Sequence, residues 1–295
     1  MTHSADATEI HQQSVRALSV AGGPLDKDGP HASINNPAWW RAGEPTAARR
    51  GLWRRLREEV WAEHPRLSYE RKAIVLAGPP GAGKSTVLRD VVGLNADRWL
   101  VLDADDFKTR LLREAIEDGS YEQFFKPPEV EAREAAGEPF FPLELAALVH
   151  EESSAIAERM RTDALDRGAN VVIDSVLSNP ESAKRLGAQL ERAGYAVEVI
   201  DVEVPFDLSQ QRIASRWRQS YETAVATGDG LGGRWVPSVY ARGVFDRPGG
   251  RSRSQDAATG LAQEYPNVLR WRRFWTEQEG DRRQVEVDYT RLSKG

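Results

Sequence analysis

Residues 78–86 read Gly78-Pro79-Pro80-Gly81-Ala82-Gly83-Lys84-Ser85-Thr86, directly after the apolar run Ala73-Ile74-Val75-Leu76-Ala77. This is the G-x-x-x-x-G-K-[ST] pattern in the context its mechanism needs: a strand, a glycine-rich turn, then the helix-like stretch Ser85–Val92. Backbone N–H groups of such a turn converge on phosphate oxygens, and the helix N-terminus adds its partial positive charge. Lys84 supplies a cation for the β and γ phosphates, which a plain glycine turn does not require. The nine residues are read as a nucleoside triphosphate site, with ATP and Mg²⁺ as the expected cofactors.

The segments that follow alternate between strand and helix, the pattern of a parallel sheet with crossover helices. Strands are predicted at 73–77, 99–102, 170–174 and 196–202, with a further one near 285–288. Helices are predicted at 84–93, 106–117, 143–167, 180–193 and 206–226, with Gly168 and Gly194 as stop signals. The expected fold is α/β, a P-loop kinase-like doubly wound parallel sheet flanked by helices. Residues 1–45 are rich in Gly, Pro, Ser, Asp and Ala and read as a flexible N-terminal tail before a kinase-like domain over 46–295. Residues 46–64 read as a helix ended by Pro65. Leu52, Trp53, Leu56, Val60 and Trp61 form its apolar stripe, and Arg49, Arg50, Arg54, Arg55 and Arg57 read as a solvated face, with a binding face as the alternative. Residues 118–142, with four prolines and five aromatic residues, read as a long loop, either functional or a surface insertion.

Composition narrows the class. A net charge of −5 argues against nucleic acid as the main ligand, since backbone-binding surfaces are basic. The absence of cysteine excludes disulfides, thiolate zinc sites and a cysteine nucleophile. No apolar run approaches the ~20 residues of a membrane helix. The start Met1-Thr2-His3-Ser4-Ala5-Asp6 lacks the order of a secretory signal, so a cytoplasmic location is expected.

Acids mark the strand ends, where ligands of open α/β sheets bind. The second strand runs into Asp103, Asp105 and Asp106, expected to face the phosphate loop from the neighbouring strand. Asp105 is the candidate base that takes the proton of an attacking hydroxyl. Asp106 is read as a helix N-cap, and Asp103 as an outer partner for magnesium. Asp174 ends the next strand, and three readings stay open: a magnesium-water ligand, an acceptor for substrate, or a structural acid. Arg212, Arg216 and Arg218 crowd one helix, followed by Thr227-Gly228-Asp229-Gly230-Leu231-Gly232-Gly233-Arg234. Four glycines before Arg234 suggest a hinged lid that closes a cation over the transferring phosphoryl group. Gly249-Gly250-Arg251-Ser252 suggests a second flexible loop.

Over about residues 70–245, the order and spacing of these motifs resembles the zeta-toxin family, P-loop kinases of bacterial toxin–antitoxin systems. The likeness rests on the glycine loop and on Asp105-Asp106-Phe107-Lys108. It extends to Val171-Val172-Ile173-Asp174 with Glu158 sixteen residues upstream, to Ser215-Arg216-Trp217, and to Arg234-Trp235-Val236-Pro237. The resemblance implies ATP-dependent phosphorylation of the 3′-hydroxyl of the sugar in a UDP-N-acetyl-sugar. It also implies roles: Lys84 on the β and γ phosphates, Ser85 on Mg²⁺, Asp105 as base, Glu158 and Asp174 as substrate-binding acids, and Arg216 and Arg234 as phosphate clamps. It further implies a neutralising antitoxin protein. One departure stands out: Asp174-Ser175-Val176-Leu177-Ser178 occupies the place where members of known sugar specificity tend to show Glu-Gly-Thr-Gly-Arg. A P-loop kinase with another acceptor (an antibiotic, a dinucleotide or another metabolite) is the alternative. From a different class, so is a nucleotide-binding ATPase or switch; a GTPase is disfavoured because the chain lacks an Asn-Lys-x-Asp guanine reader.

Overall fold

The computed structural model describes residues 3–228, 230–247 and 250–291. In chain order the regular elements are α1 (His3–Leu18), β1 (Trp40–Arg41), β2 (Glu44–Pro45), α2 (Ala47–Ala62), β3 (Lys72–Ala77), α3 (Lys84–Val92), β4 (Leu100–Leu102), α4 (Ala104–Glu117) and α5 (Pro128–Ala135). They continue with α6 (His150–Arg167), β5 (Val171–Asp174), α7 (Pro180–Arg192), β6 (Ala196–Glu203), α8 (Phe206–Thr227), α9 (Ser238–Val244), α10 (Arg253–Glu264), β7 (Val268–Trp275) and β8 (Gln284–Thr290). The described residues fall into two compact units. The first draws on Met1–Val60, Ala104–Glu158 and Ile213–Pro237; the second draws on Trp61–Asp103, Arg159–Arg212 and Ser238–Gly295.

The second unit holds a six-stranded sheet in the order β4-β5-β3-β6-β7-β8, parallel except for the antiparallel edge strand β8. From Ala73 onward every residue of β3 is buried, as expected of a central parallel strand covered on both faces. On one face Ile74, Leu76, Val172, Ile200 and Val202 join Ala82, Val87 and Leu208 in a single apolar cluster. Strands 73–77, 99–102, 170–174, 196–202 and 285–288 all appear within two residues of their expected bounds. β7 carries Arg270, Arg272 and Arg273 and so shows no apolar signature. Arg273 is nevertheless buried, because its Nε donates to the fully buried Asp201 at 2.6 Å and its Nη2 to Thr259 at 2.7 Å. α7 opens on Asn179, whose side chain accepts from the N–H groups of Glu181 and Ser182.

The strand order corrects one expectation. β4 pairs with β5, and β5 pairs with β3, so Asp103, Asp105 and Asp106 do not follow the strand next to the phosphate loop. The adjoining strand is β5, and it ends in Asp174.

The first unit is helical apart from the antiparallel pair β1-β2. α2 buries Trp53, Leu56 and Val60, and α4 buries Phe107, Leu111, Leu112 and Ala115. α4 packs against a 3-10 helix, Pro142–Val149, which precedes α6, so the expected single helix 143–167 is two elements. Three expectations on this unit are revised. Residues 1–45, read as a flexible tail, hold α1 and bury Val15, Leu18, Leu25 and Ala32. The few apolar positions of α1 are supplemented by buried polar side chains whose partners lie far along the chain, which leaves no helical period to read. Residues 118–142 contain a π-helical turn (Tyr121–Phe125) and α5, with Tyr121, Phe125, Val130 and Phe140 buried. Arg49 is not solvated. Its Nε and Nη2 donate to the fully buried Glu152 at 2.5 and 2.9 Å, Trp53 Nε1 donates to the same carboxylate at 2.6 Å, and the Trp39 ring lies 4.0 Å from the guanidinium carbon. Arg55 donates to Glu59 and Glu114. Asp229 and Gly249, named in the two glycine-rich segments, lie outside the described residues. No helix among the described residues is long and apolar enough to cross a membrane.

Candidate active site

The phosphate loop lies in the second unit, where β3 leaves the sheet. Gly78, Gly81 and Gly83 have φ of 140°, 74° and 92°, backbone conformations that L-residues rarely adopt. A Cβ on Gly78 would collide with the carbonyl oxygen of Val202 on β6, and one on Gly81 would lie 2.7 Å from the carbonyl oxygen of Ser209. The Ser209 hydroxyl also donates to the Pro80 carbonyl at 2.7 Å, tying the loop to the start of α8. The N–H groups of Thr86 and Val87 donate to the Gly83 carbonyl at 3.1 and 3.2 Å and open α3.

Lys84 is folded back onto this loop. Its Nζ donates to the Gly78 carbonyl at 2.9 Å and the Ser175 carbonyl at 3.5 Å, and it stands 3.3 Å from Asp174 Oδ1. Both side chains are mostly buried, at 14% and 17% exposure, which strengthens their attraction relative to a surface pair. Ser85 and Thr86 are exposed. Arg212 was noted in the sequence without a role. Its Nη1 lies 3.4 Å from the carbonyls of both Gly81 and Ala82, and its Nε donates to Glu279 at 2.6 Å. The signal for it was present: a basic residue early in the helix after β6, one turn before Arg216. A nest of left-handed glycines, a lysine and an arginine form a donor set suited to a triphosphate chain.

The candidate base lies in the first unit. Asp105 sits in the first turn of α4, where a carboxylate also complements the helix dipole. Its Oδ1 is 3.0 Å from Lys108 Nζ, and its Oδ2 is ion-paired with Arg234 Nη1. Asp106 is not the N-cap, since α4 begins at Ala104; its carboxylate instead accepts from Arg110 Nε at 2.8 Å, one turn on. Nearby His150 is held below its ordinary pKa by burial and then by the Lys108 charge. The segment before Arg234 is packed down. A Cβ on Gly232 would strike Phe141, one on Gly233 would strike the Trp217 carbonyl, and Trp235 and Val236 are buried. Its described residues thus read as a seated turn where a hinged lid was expected.

The predicted site residues therefore fall into two groups. Lys84, Asp174 and the loop 78–86 come together in the second unit, and Asp105 and Arg234 in the first. Glu158 is exposed on α6, Arg216 is exposed on α8, and Asp103 is half-buried after β4. Among the described residues no group of three or more His, Asp or Glu side chains could hold a metal ion.

Comparison with known proteins adds to this geometry. A sequence model of the zeta toxin family matches residues 128–254, a span that begins after the phosphate loop. A guanylate kinase of Prochlorococcus marinus (strain MIT 9312) is 37% identical over 57 residues, 19% of this chain. The chain spans 29% of that relative's length. The solved structure of the PezAT chromosomal toxin–antitoxin system of Streptococcus pneumoniae superposes with a TM-score of 0.51 at 16% identity, covering 83% of each chain. That of AvrRxo1-ORF1:-ORF2 with ATP gives 0.54 at 17% identity, over 83% of this chain and 68% of the other. At such identities the likeness is one of fold. Residues 128–254 match the zeta toxin family model, and the sheet with its flanking helices matches a P-loop kinase-like α/β fold.

Proposed function

We propose that the chain is an ATP-dependent kinase that phosphorylates a hydroxyl group of a small metabolite, with a UDP-N-acetyl-sugar as the first acceptor to test. The observation that carries this reading is the glycine loop with Lys84 clasped to the Gly78 carbonyl and Asp174, because backbone N–H groups beside a lysine and a helix N-terminus suit the phosphates of a nucleotide. ATP would supply the phosphoryl group, and Mg²⁺ would arrive with it, held by Ser85 and by Asp103 or Asp174. Magnesium typically takes only one or two protein oxygens and fills its shell with phosphates and water.

Asp105 takes the acceptor's hydroxyl proton as that oxygen bonds to the γ-phosphorus and the bond to the β-phosphate oxygen breaks. Arg216 and Arg234 offset the charge spread over the phosphoryl oxygens, and Glu158 and Asp174 orient the acceptor. The toxin–antitoxin neighbours support a neutralising protein partner, and a cytoplasmic location suits a kinase fed by ATP. The segment Asp174–Ser178 lacks the arginine of the sugar-specific pattern, which favours, as a second reading, an acceptor other than a UDP-N-acetyl-sugar.

The test is ATP consumption with and without UDP-N-acetylglucosamine and a metabolite extract, with products read by mass spectrometry as a gain of one phosphate. Asp105→Asn is expected to lower transfer by about 10²–10⁴ while ATP still binds. Full activity in that variant removes the proposed base, and turnover independent of any acceptor points to an ATPase.

A further inference from the structure

His11, on α1, is 1% exposed, and both of its ring nitrogens face carboxylates. Nδ1 is 2.7 Å from Glu138 Oε1, and Nε2 is 2.9 Å from Glu144 Oε1. Burial pushes the Glu144 carboxyl above its ordinary 4.5, against the pull of its His11, Phe141 and Trp217 donors; where both carboxylates are ionised they only accept, both ring nitrogens donate, and the ring is an imidazolium. Arg133 donates to the far oxygen of Glu138 at 3.1 Å and balances the second carboxylate. Tyr221 stacks on the imidazole at 4.4 Å, and Phe140 meets it edge-on at 4.6 Å.

Glu144 joins this cluster to the Arg234 segment. Besides His11 it accepts from Trp217 Nε1 at 3.0 Å and from the Phe141 N–H at 2.9 Å. Those two residues form the surface beneath residues 231–235. Gly232 abuts Phe141, Gly233 abuts the Trp217 backbone, Trp235 packs edge-on against the Trp217 ring at 5.8 Å, and the Leu143 N–H donates to the Leu231 carbonyl at 2.8 Å. Arg234 leaves this seat to pair with Asp105.

We propose that His11 is a positioning residue for phosphoryl transfer: clamped between Glu138 and Glu144, it fixes the seat from which Arg234 reaches Asp105. The proposal rests on the kinase reading above. It makes α1 part of the catalytic apparatus and gives that apparatus a pH dependence. The charged and titratable groups around the cluster are Glu138, Glu144, Arg133, Tyr221 and, beside Glu144, Tyr121. Burial alone would lower the His11 pKa; the hydrogen bonds and charges of Glu144 and then Glu138 outweigh it and hold it above 6.5. A raised His11 pKa means that the charged clamp is lost as pH rises through the folded value, and the raised Glu144 pKa sets the lower edge of its window, where that carboxylate takes up a proton.

Two readouts test this. The first is hydrogen exchange at the Leu143 amide, which needs no catalysis. His11→Gln is expected to lower its protection about tenfold or more while leaving the amides of β3 unchanged. In the wild-type protein, protection corrected for intrinsic exchange falls as pH rises above 6.5, and in His11→Gln it stays flat. The second is a double-mutant cycle on transfer. His11→Gln lowers kcat about tenfold with KM for ATP unchanged, and has no further effect in an Arg234→Ala background. Unchanged Leu143 protection overturns the proposal whatever the activity, as does an equal loss in the Arg234→Ala background. If His11→Gln does not fold, a flat wild-type exchange profile across the same pH range overturns it. Should the wild-type protein transfer phosphate to no acceptor, the kinase reading fails and the catalytic half of this proposal with it, while exchange still decides whether His11 holds the seat.

Discussion

Gly78→Ala separates two costs that a glycine turn usually confounds, and Gly194→Ala is its control. Both glycines lie in the second unit with positive φ, 140° and 71°. Around Gly194 nothing stands within 4 Å of an added Cβ, so Gly194→Ala pays only for the left-handed backbone, about 1–2 kcal/mol. At Gly78 the same methyl collides with the Val202 carbonyl oxygen and lies 3.1 Å from its carbon and 3.4 Å from the Val202 nitrogen. All three are backbone atoms of a central strand and cannot swing away. Backbone strain of about 1–3 kcal/mol is then joined by an overpacking cost of about 1–3 kcal/mol. The sum, about 2–6 kcal/mol, is a large share of the roughly 5–15 kcal/mol that holds a typical domain. Chemical denaturation followed by tryptophan fluorescence measures both variants, and nucleotide titration measures the loop. Gly78→Ala is expected to lose clearly more stability than Gly194→Ala. It is also expected to bind ATP at least tenfold more weakly, because relief of the clash displaces the N–H groups proposed to hold phosphate. Equal losses in the two variants, or unchanged ATP affinity in folded Gly78→Ala, would refute the crowding argument.

Two further outcomes follow from the second unit. Arg212→Ala is expected to weaken ATP binding about three- to tenfold, since it removes a cation beside Gly81 and Ala82. Glu279→Ala should leave that cation in place and weaken binding less; a larger loss in Glu279→Ala would contradict the assignment, with isothermal titration as the measurement. Glu203 is fully buried, accepts from the Ser252 hydroxyl at 2.7 Å and neighbours Asp201; burial first and then the Asp201 charge hold its pKa above 4.5. The native state therefore keeps a proton that the unfolded chain releases, and this group's contribution to stability falls as pH rises above 4.5. Glu203→Gln keeps the shape and removes the ionisation, so denaturation midpoints across pH should decline less steeply than in the wild-type protein; identical slopes would sink this reading.

The phosphate loop was legible because its chemistry is local. Nine consecutive residues set the glycine conformations, the lysine and the helix start, and the apolar run before them marks the strand. Most of the sheet was legible for a similar reason, since buried parallel strands are short apolar runs. β7 was not, because Arg270, Arg272 and Arg273 find acidic partners on β6 that no periodicity reveals.

What the sequence could not decide is which distant residues meet. Strand order is one such fact. The acids after β4 looked adjacent to the loop, yet β5 lies between, and Asp174 holds Lys84. The packed character of residues 7–45 is another. His11 meets Glu144 across 133 residues, and Arg49 meets Glu152 across 103. A buried charge is tolerated only beside its partner, and in sequence the two halves of each pair look like ordinary surface residues. Local pattern determined the glycine loop and its lysine; tertiary pairing decided how Asp105 meets Arg234 and how the N-terminal helix is held, because those energies come from contacts between residues far apart in the chain.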